Sequence, residues 1–74
     1  MAGFPTISGR EARDAFLKDG WTFACQRGSH MILIKPGHLV SLSVPDHKEL
    51  AKGTLRGLLR SAGMTPERFI GLLE

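Results

Sequence analysis

The stretch Arg27-Gly28-Ser29-His30-Met31-Ile32-Leu33-Ile34 sets a glycine-serine turn directly before an apolar run, and that juxtaposition decides how the chain folds. A turn between two extended segments makes a hairpin. The segment before it, Trp21 to Gln26, alternates, with Trp21, Phe23 and Cys25 on one face and Thr22, Ala24 and Gln26 on the other. That is the period of a half-buried strand. The segment after it, His30 to Lys35, puts His30, Ile32 and Ile34 on one face and Met31 and Leu33 on the other. Pro36-Gly37 turns the chain again. Leu39 to Val44 reads as a third strand, with Val40, Leu42 and Val44 toward the core and Ser41 and Ser43 outward. Pro45 ends it, since proline cannot donate to a ladder. Connections this short imply an antiparallel meander.

Helices flank this sheet. Ser8-Gly9-Arg10-Glu11 has the spacing of a capping box, Ile7 before it can staple onto Ala12, and Ala12, Ala15, Phe16 and Leu17 supply an apolar stripe. Gly20 stops this helix, which spans 9–19. After a polar loop from Asp46 to Lys52, Thr54 to Ala62 carries Leu55, Leu58, Leu59 and Ala62 at helical spacing, and Gly63 ends it. Thr65-Pro66-Glu67 opens a short third helix held down by Phe69, Ile70, Leu72 and Leu73. The order α-β-β-β-α plus a terminal helix defines an α+β, two-layer sandwich with one sheet face left open. The expected organisation is a single domain over residues 1–74, with residues 1–6 a loose lead-in.

A chain of 74 residues has room for a modest core and a shallow site, which favours a polymer as substrate over a buried small molecule. Its net charge is +3, unevenly spread. From Arg27 to Arg60 there are six basic residues (Arg27, Lys35, Lys48, Lys52, Arg56, Arg60) and two acids (Asp46, Glu49), a net of +4. The field is centred on the sheet and the helix after it, either a nucleic-acid footprint or an imbalanced solvated surface. Cys25 is the only cysteine, so no intramolecular disulfide forms, and its apolar alternation places it in the core. No apolar run approaches the ~18 residues of a membrane span, and residues 1–9 lack the pattern of a signal peptide. A cytoplasmic location is therefore the expectation.

Read together, these residues resemble a family. Ile7-Ser8-Gly9-Arg10-Glu11 is followed by Gly20-Trp21, then Gln26-Arg27-Gly28-Ser29-His30, then Val44-Pro45 with His47. Gly53-Thr54-Leu55-Arg56 runs on to Ala62-Gly63-Met64. In this order and spacing they look like the HicA toxins of HicA–HicB type II toxin–antitoxin pairs, the HicA-like mRNA interferases. The resemblance covers nearly all of residues 7–73. It implies a fold like the double-stranded-RNA-binding domain and an endoribonuclease that cleaves mRNA, blocks translation and is neutralised by a HicB-like antitoxin. It also implies that the histidine of the Gly-Ser-His turn, here His30, is catalytic. The chain departs from the pattern in a short loop between the second and third strands. It departs again at Ser41 and Ser43, where many members carry more charged residues.

The chemistry of the residues is compatible with that implication. RNA cleaves without a metal when its 2′-hydroxyl attacks the adjacent phosphate. A histidine near its ordinary pKa of ~6.5 can take the 2′ proton or protonate the leaving oxygen. Arg27 offers a bidentate fork to the phosphate, the amides of Gly28 and Ser29 a small anion nest, and glycine at 28 a close approach for the backbone. The bland alternative for His30 is a strand-edge histidine without a role. His47 has three open readings: a phosphate contact, a second acid or base, or a brace for its loop. His38 belongs to an exposed hairpin and is given no role. Asp46 either polarises a histidine or is simply solvated. Lys52, Arg56 and Arg60 form one stripe on the second helix, a solvated face, a rail for RNA phosphates or a docking strip for an acidic antitoxin. Histidines at 30, 38 and 47 lack the compact spacing of a zinc site, so neither a metal nor a cofactor is expected. The competing function is a non-catalytic RNA-binding or partner-binding module on the same fold, which needs the basic stripe but not the histidine.

Overall fold

A computed structural model of the chain describes residues 5–73. Six elements follow in order: α1 (Gly9–Lys18), β1 (Thr22–Arg27), β2 (His30–Ile34), β3 (Leu42–Pro45), α2 (Lys52–Ala62) and α3 (Pro66–Leu72). The three strands make an antiparallel sheet in the order β1-β2-β3. This is the α-β-β-β-α layout of the double-stranded-RNA-binding domain with a short C-terminal helix added. Most of the lead-in expected over residues 1–6 lies outside the described residues, and Pro5 and Thr6 are exposed.

Local chemistry sets the helix ends. The Glu11 amide donates to Ser8 Oγ at 3.1 Å and the Ser8 amide to Glu11 Oε1 at 2.9 Å, a complete capping box. At the other end of α1 the Trp21 amide donates to the Phe16 carbonyl and the Gly20 amide to that of Leu17, both at 3.1 Å. This is a Schellman motif, and the Phe16 and Trp21 rings supply its apolar contact at 6.5 Å. α2 ends in the same way, with Met64 donating to Leu59 and Gly63 to Arg60. Thr65 caps α3 by accepting from the Arg68 amide at 3.2 Å, with Pro66 in the first turn.

The core lies between the helices and one sheet face. Met31 and Leu33 of β2, Leu42 and Val44 of β3, Phe16 of α1, Leu55 of α2 and Phe69 of α3 are the large side chains fully removed from water. Phe69 stacks obliquely on Phe16 at 5.3 Å, which fastens α3 to α1. Asp19, at the end of α1, accepts from Arg68 Nη2 at 2.7 Å and from Lys35 Nζ at 3.1 Å. Burial by itself would raise the Asp19 carboxyl, but the hydrogen bonds from Arg68 and Lys35 outweigh it and hold the group below the usual carboxylate range.

Several sequence expectations change. A bulge between Phe23 and Cys25 slips β1 by one residue, so that Phe23 pairs with Leu33 but Cys25 with Ile32. One residue of slip reverses the faces. Cys25 is therefore half-buried beside Ile32 on the open face rather than in the core, and Trp21 is buried ahead of the strand. The third strand begins at Leu42, leaving Leu39 and Val40 exposed in the connection. Extending the β2–β3 ladder would set Pro36, which has no N–H, opposite Leu39; instead the His38 amide turns back to the Lys35 carbonyl. α2 starts at Lys52, two residues before Thr54. Leu17 and Ile70 face outward instead of joining the core stripes.

Candidate functional site

Arg27 and His30 are directly paired across the two-residue turn Gly28-Ser29. Gly28 has φ 57°, while among the described residues none other than glycine has positive φ. Positive φ at the first central residue alone is the type II′ pattern, whose twist suits a hairpin and which calls for glycine there. Two hydrogen bonds stiffen the turn: Gln26 Nε2 donates to the Gly28 carbonyl at 3.2 Å, and the Asp46 amide to the Ser29 carbonyl at 2.6 Å. The second ties the loop after β3 to the turn.

His30 opens β2, opposite Arg27 on one side and Pro45 on the other. It shares the open face with Ile32 and is exposed, while its neighbour Met31 is locked in the core. Directly paired residues project from the same face, so Arg27 and His30 do so together. Ser43, opposite Ile32 in β3, lies diagonally from His30, and its Oγ is 3.0 Å from His30 Nδ1. Nε2 is left as the ring nitrogen for an incoming partner. Sequence reasoning missed this contact. Alternation put Ser43 on the outward face, but only the β2–β3 register brings it to the histidine.

Asp46 is not a partner of His30. Its carboxylate accepts from Arg10 Nε at 3.2 Å, and that bond first of all lowers its pKa below the ordinary value. His47 is exposed. Its carbonyl accepts from the Gly9 amide at 2.8 Å, so its backbone braces the N-terminus of α1, and its side chain lines a shallow groove with Ser8, Arg10, Asp46 and Lys48. His38 rests on the Trp21 ring at 5.0 Å.

Lys52, Arg56 and Arg60 are exposed along α2, on a strip that flanks the buried Leu55, Leu58 and Leu59. α2 belongs to the layer on the core face, whereas His30 occupies the open face. The fold thus gathers Arg27, Gly28, Ser29 and His30 into one cluster, tethers the segment leading to His47 beside it, and leaves the α2 stripe on the other layer. Among the described residues no three His, Cys, Asp or Glu side chains group as a metal-binding set, and no helix is long and apolar enough to cross a membrane.

An α-β-β-β-α sandwich with an exposed, hydrogen-bonded histidine at a strand start defines the class: a small basic domain built like the double-stranded-RNA-binding domain. Residues 9–64 match the family model described as HicA toxin of bacterial toxin–antitoxin, and the chain belongs to that family. No curated protein matches it.

Proposed function

We propose that this protein is a metal-independent endoribonuclease, the mRNA-cleaving toxin of a type II toxin–antitoxin pair, with His30 as its acid/base residue and a HicB-like protein as its antitoxin. The observation that carries this reading is His30 itself: exposed, rigidly mounted at the start of β2, held through Nδ1 and set beside Arg27. Membership of the toxin family supports the biological setting, with translation in the cytoplasm as the target.

In the proposed step, His30 Nε2 removes the proton of a ribose 2′-hydroxyl. The oxygen attacks the adjacent phosphorus, the bond to the 5′ oxygen breaks, that oxygen takes a proton from water, and Nε2 returns its own proton to solvent. The products are a 2′,3′-cyclic phosphate and a 5′-hydroxyl end, with no net gain or loss of protons. Alternatively the protonated ring serves the leaving oxygen. Arg27 and the amides of Gly28 and Ser29 offset the charge that develops on phosphate. His47, beside the turn, contacts the flanking RNA backbone, and the stripe of Lys52, Arg56 and Arg60 on the other layer holds a more distant stretch of the strand, which makes binding salt-dependent. The same positive surface suits an acidic antitoxin.

The test is cleavage of a long single-stranded RNA in excess EDTA by wild type and His30→Ala. Proton transfer of this kind contributes ~10²–10⁴-fold, so the variant is expected to lose at least about a hundredfold in rate while keeping its fold by circular dichroism. Equal cleavage by both proteins would remove His30 from the chemistry. A gel shift without fragments from either would mark the domain as a binding module.

A further inference from the structure

We propose that Ser43 is the positioning residue of His30, its hydroxyl turning the imidazole so that Nε2 meets the RNA; this rests on the reading of His30 as the acid/base group. Ser43 is well placed for the task. It sits between Leu42 and Val44, both fully buried, and opposite Ile32, so its backbone is anchored in the sheet. His30, in contrast, is exposed, and an exposed histidine samples several rotamers and presents either nitrogen. The 3.0 Å contact between Ser43 Oγ and Nδ1 selects one orientation and leaves Nε2 outward.

The chemical type of the partner matters as much as its place. A hydroxyl both donates and accepts. It donates to Nδ1 when the neutral ring carries its proton on Nε2, and accepts from Nδ1–H in the other tautomer and in the imidazolium. The ring therefore stays tethered in every state it visits while Nε2 takes up or releases a proton. A carboxylate in this place would favour the cation and raise the pKa, and an ammonium would be unable to accept from Nδ1–H. Serine at 43 thus supplies orientation without adding charge.

The experiment compares wild type, Ser43→Ala, Ser43→Thr and His30→Ala in the full chain. Two quantities are read: kcat and KM for RNA cleavage, and the ¹⁵N signals of the His30 ring. The expected result for Ser43→Ala is a fall in kcat of about tenfold, a share of the ~10²–10⁴-fold that proton transfer supplies. KM should be unchanged, and the Nδ1 signal should move while those of His38 and His47 stay. Ser43→Thr restores the hydroxyl and should recover both kcat and the signal. A Ser43→Ala protein with wild-type kcat, or with an unmoved Nδ1 signal, would overturn the role of Ser43 even if His30→Ala were inactive. Undiminished cleavage by His30→Ala would overturn the acid/base reading and the role of Ser43 with it.

Discussion

At the scale of single residues, the site depends on two glycines that act differently. Gly28 permits the backbone twist that brings Arg27 and His30 face to face. Gly9 permits contact: a Cβ there would overlap the Pro45 carbonyl oxygen, a backbone atom unable to swing aside. This packing sets the end of β3, and with it the loop of Asp46 and His47, against the start of α1. Gly9→Ala therefore pits two effects against each other. Alanine improves helix propensity by at most ~1 kcal/mol, and less at the first position of a helix. Overpacking against a fixed neighbour costs about 1–3 kcal/mol. The net expectation is destabilisation, seen as a lower urea midpoint with unchanged slope; an unchanged or higher midpoint would mean that the β3 end yields freely. His30 was legible as a candidate because turn and strand letters flank it directly. Ser43 was not, because its value depends on a partner 13 residues away in another strand.

At the scale of elements, helices declared themselves more clearly than strands. Ser8 with Glu11, and Thr65 with Pro66, are local signals whose hydrogen bonds close within three residues, so the sequence carries them whole. Strand faces depend on pairing. The alternation of Trp21 to Gln26 was real, but the bulge at Ala24 handed Cys25 to the opposite face, and apolar Leu39 and Val40 had no ladder to join. α2 was the least well marked helix, for a physical reason. Its N-cap, Ala51, has extended backbone (φ −64°, ψ 142°) and no side-chain acceptor, and its first turn holds no acid. The helix is held by Leu55, Leu58 and Leu59 in the core, with Lys52 at its positive end. Ala51→Ser should cap the exposed amides and raise stability by about 1 kcal/mol. The readout is again the urea midpoint, and no gain would show that the loop geometry keeps a hydroxyl from the first turn.

At the scale of the whole molecule, the fold divides labour between its layers. The helix side carries stability and the basic stripe; the open sheet face carries the histidine. Asp19 is the polar link that closes the helix side, joining the end of α1 to Arg68 of α3 and to Lys35 just past β2. With Asp19 only 10% exposed, these bonds are shielded on the acid's side, while Arg68 is largely in water. Asp19→Asn is accordingly expected to cost on the order of 1–2 kcal/mol at pH 7, hydrogen bonds to charged groups being discounted for the exposed arginine. The folded-state pKa of Asp19 is depressed, so its contribution is present above the unfolded value of ~3.9 and is lost as pH falls through the lower folded value. Urea unfolding of wild type and Asp19→Asn from pH 7 to pH 3 should show a gap that is constant at neutral pH and narrows below about pH 4. A gap that persisted undiminished at the acid end would mean that the asparagine variant loses packing between α1 and α3, and that the carboxylate charge is not what fastens the terminal helix.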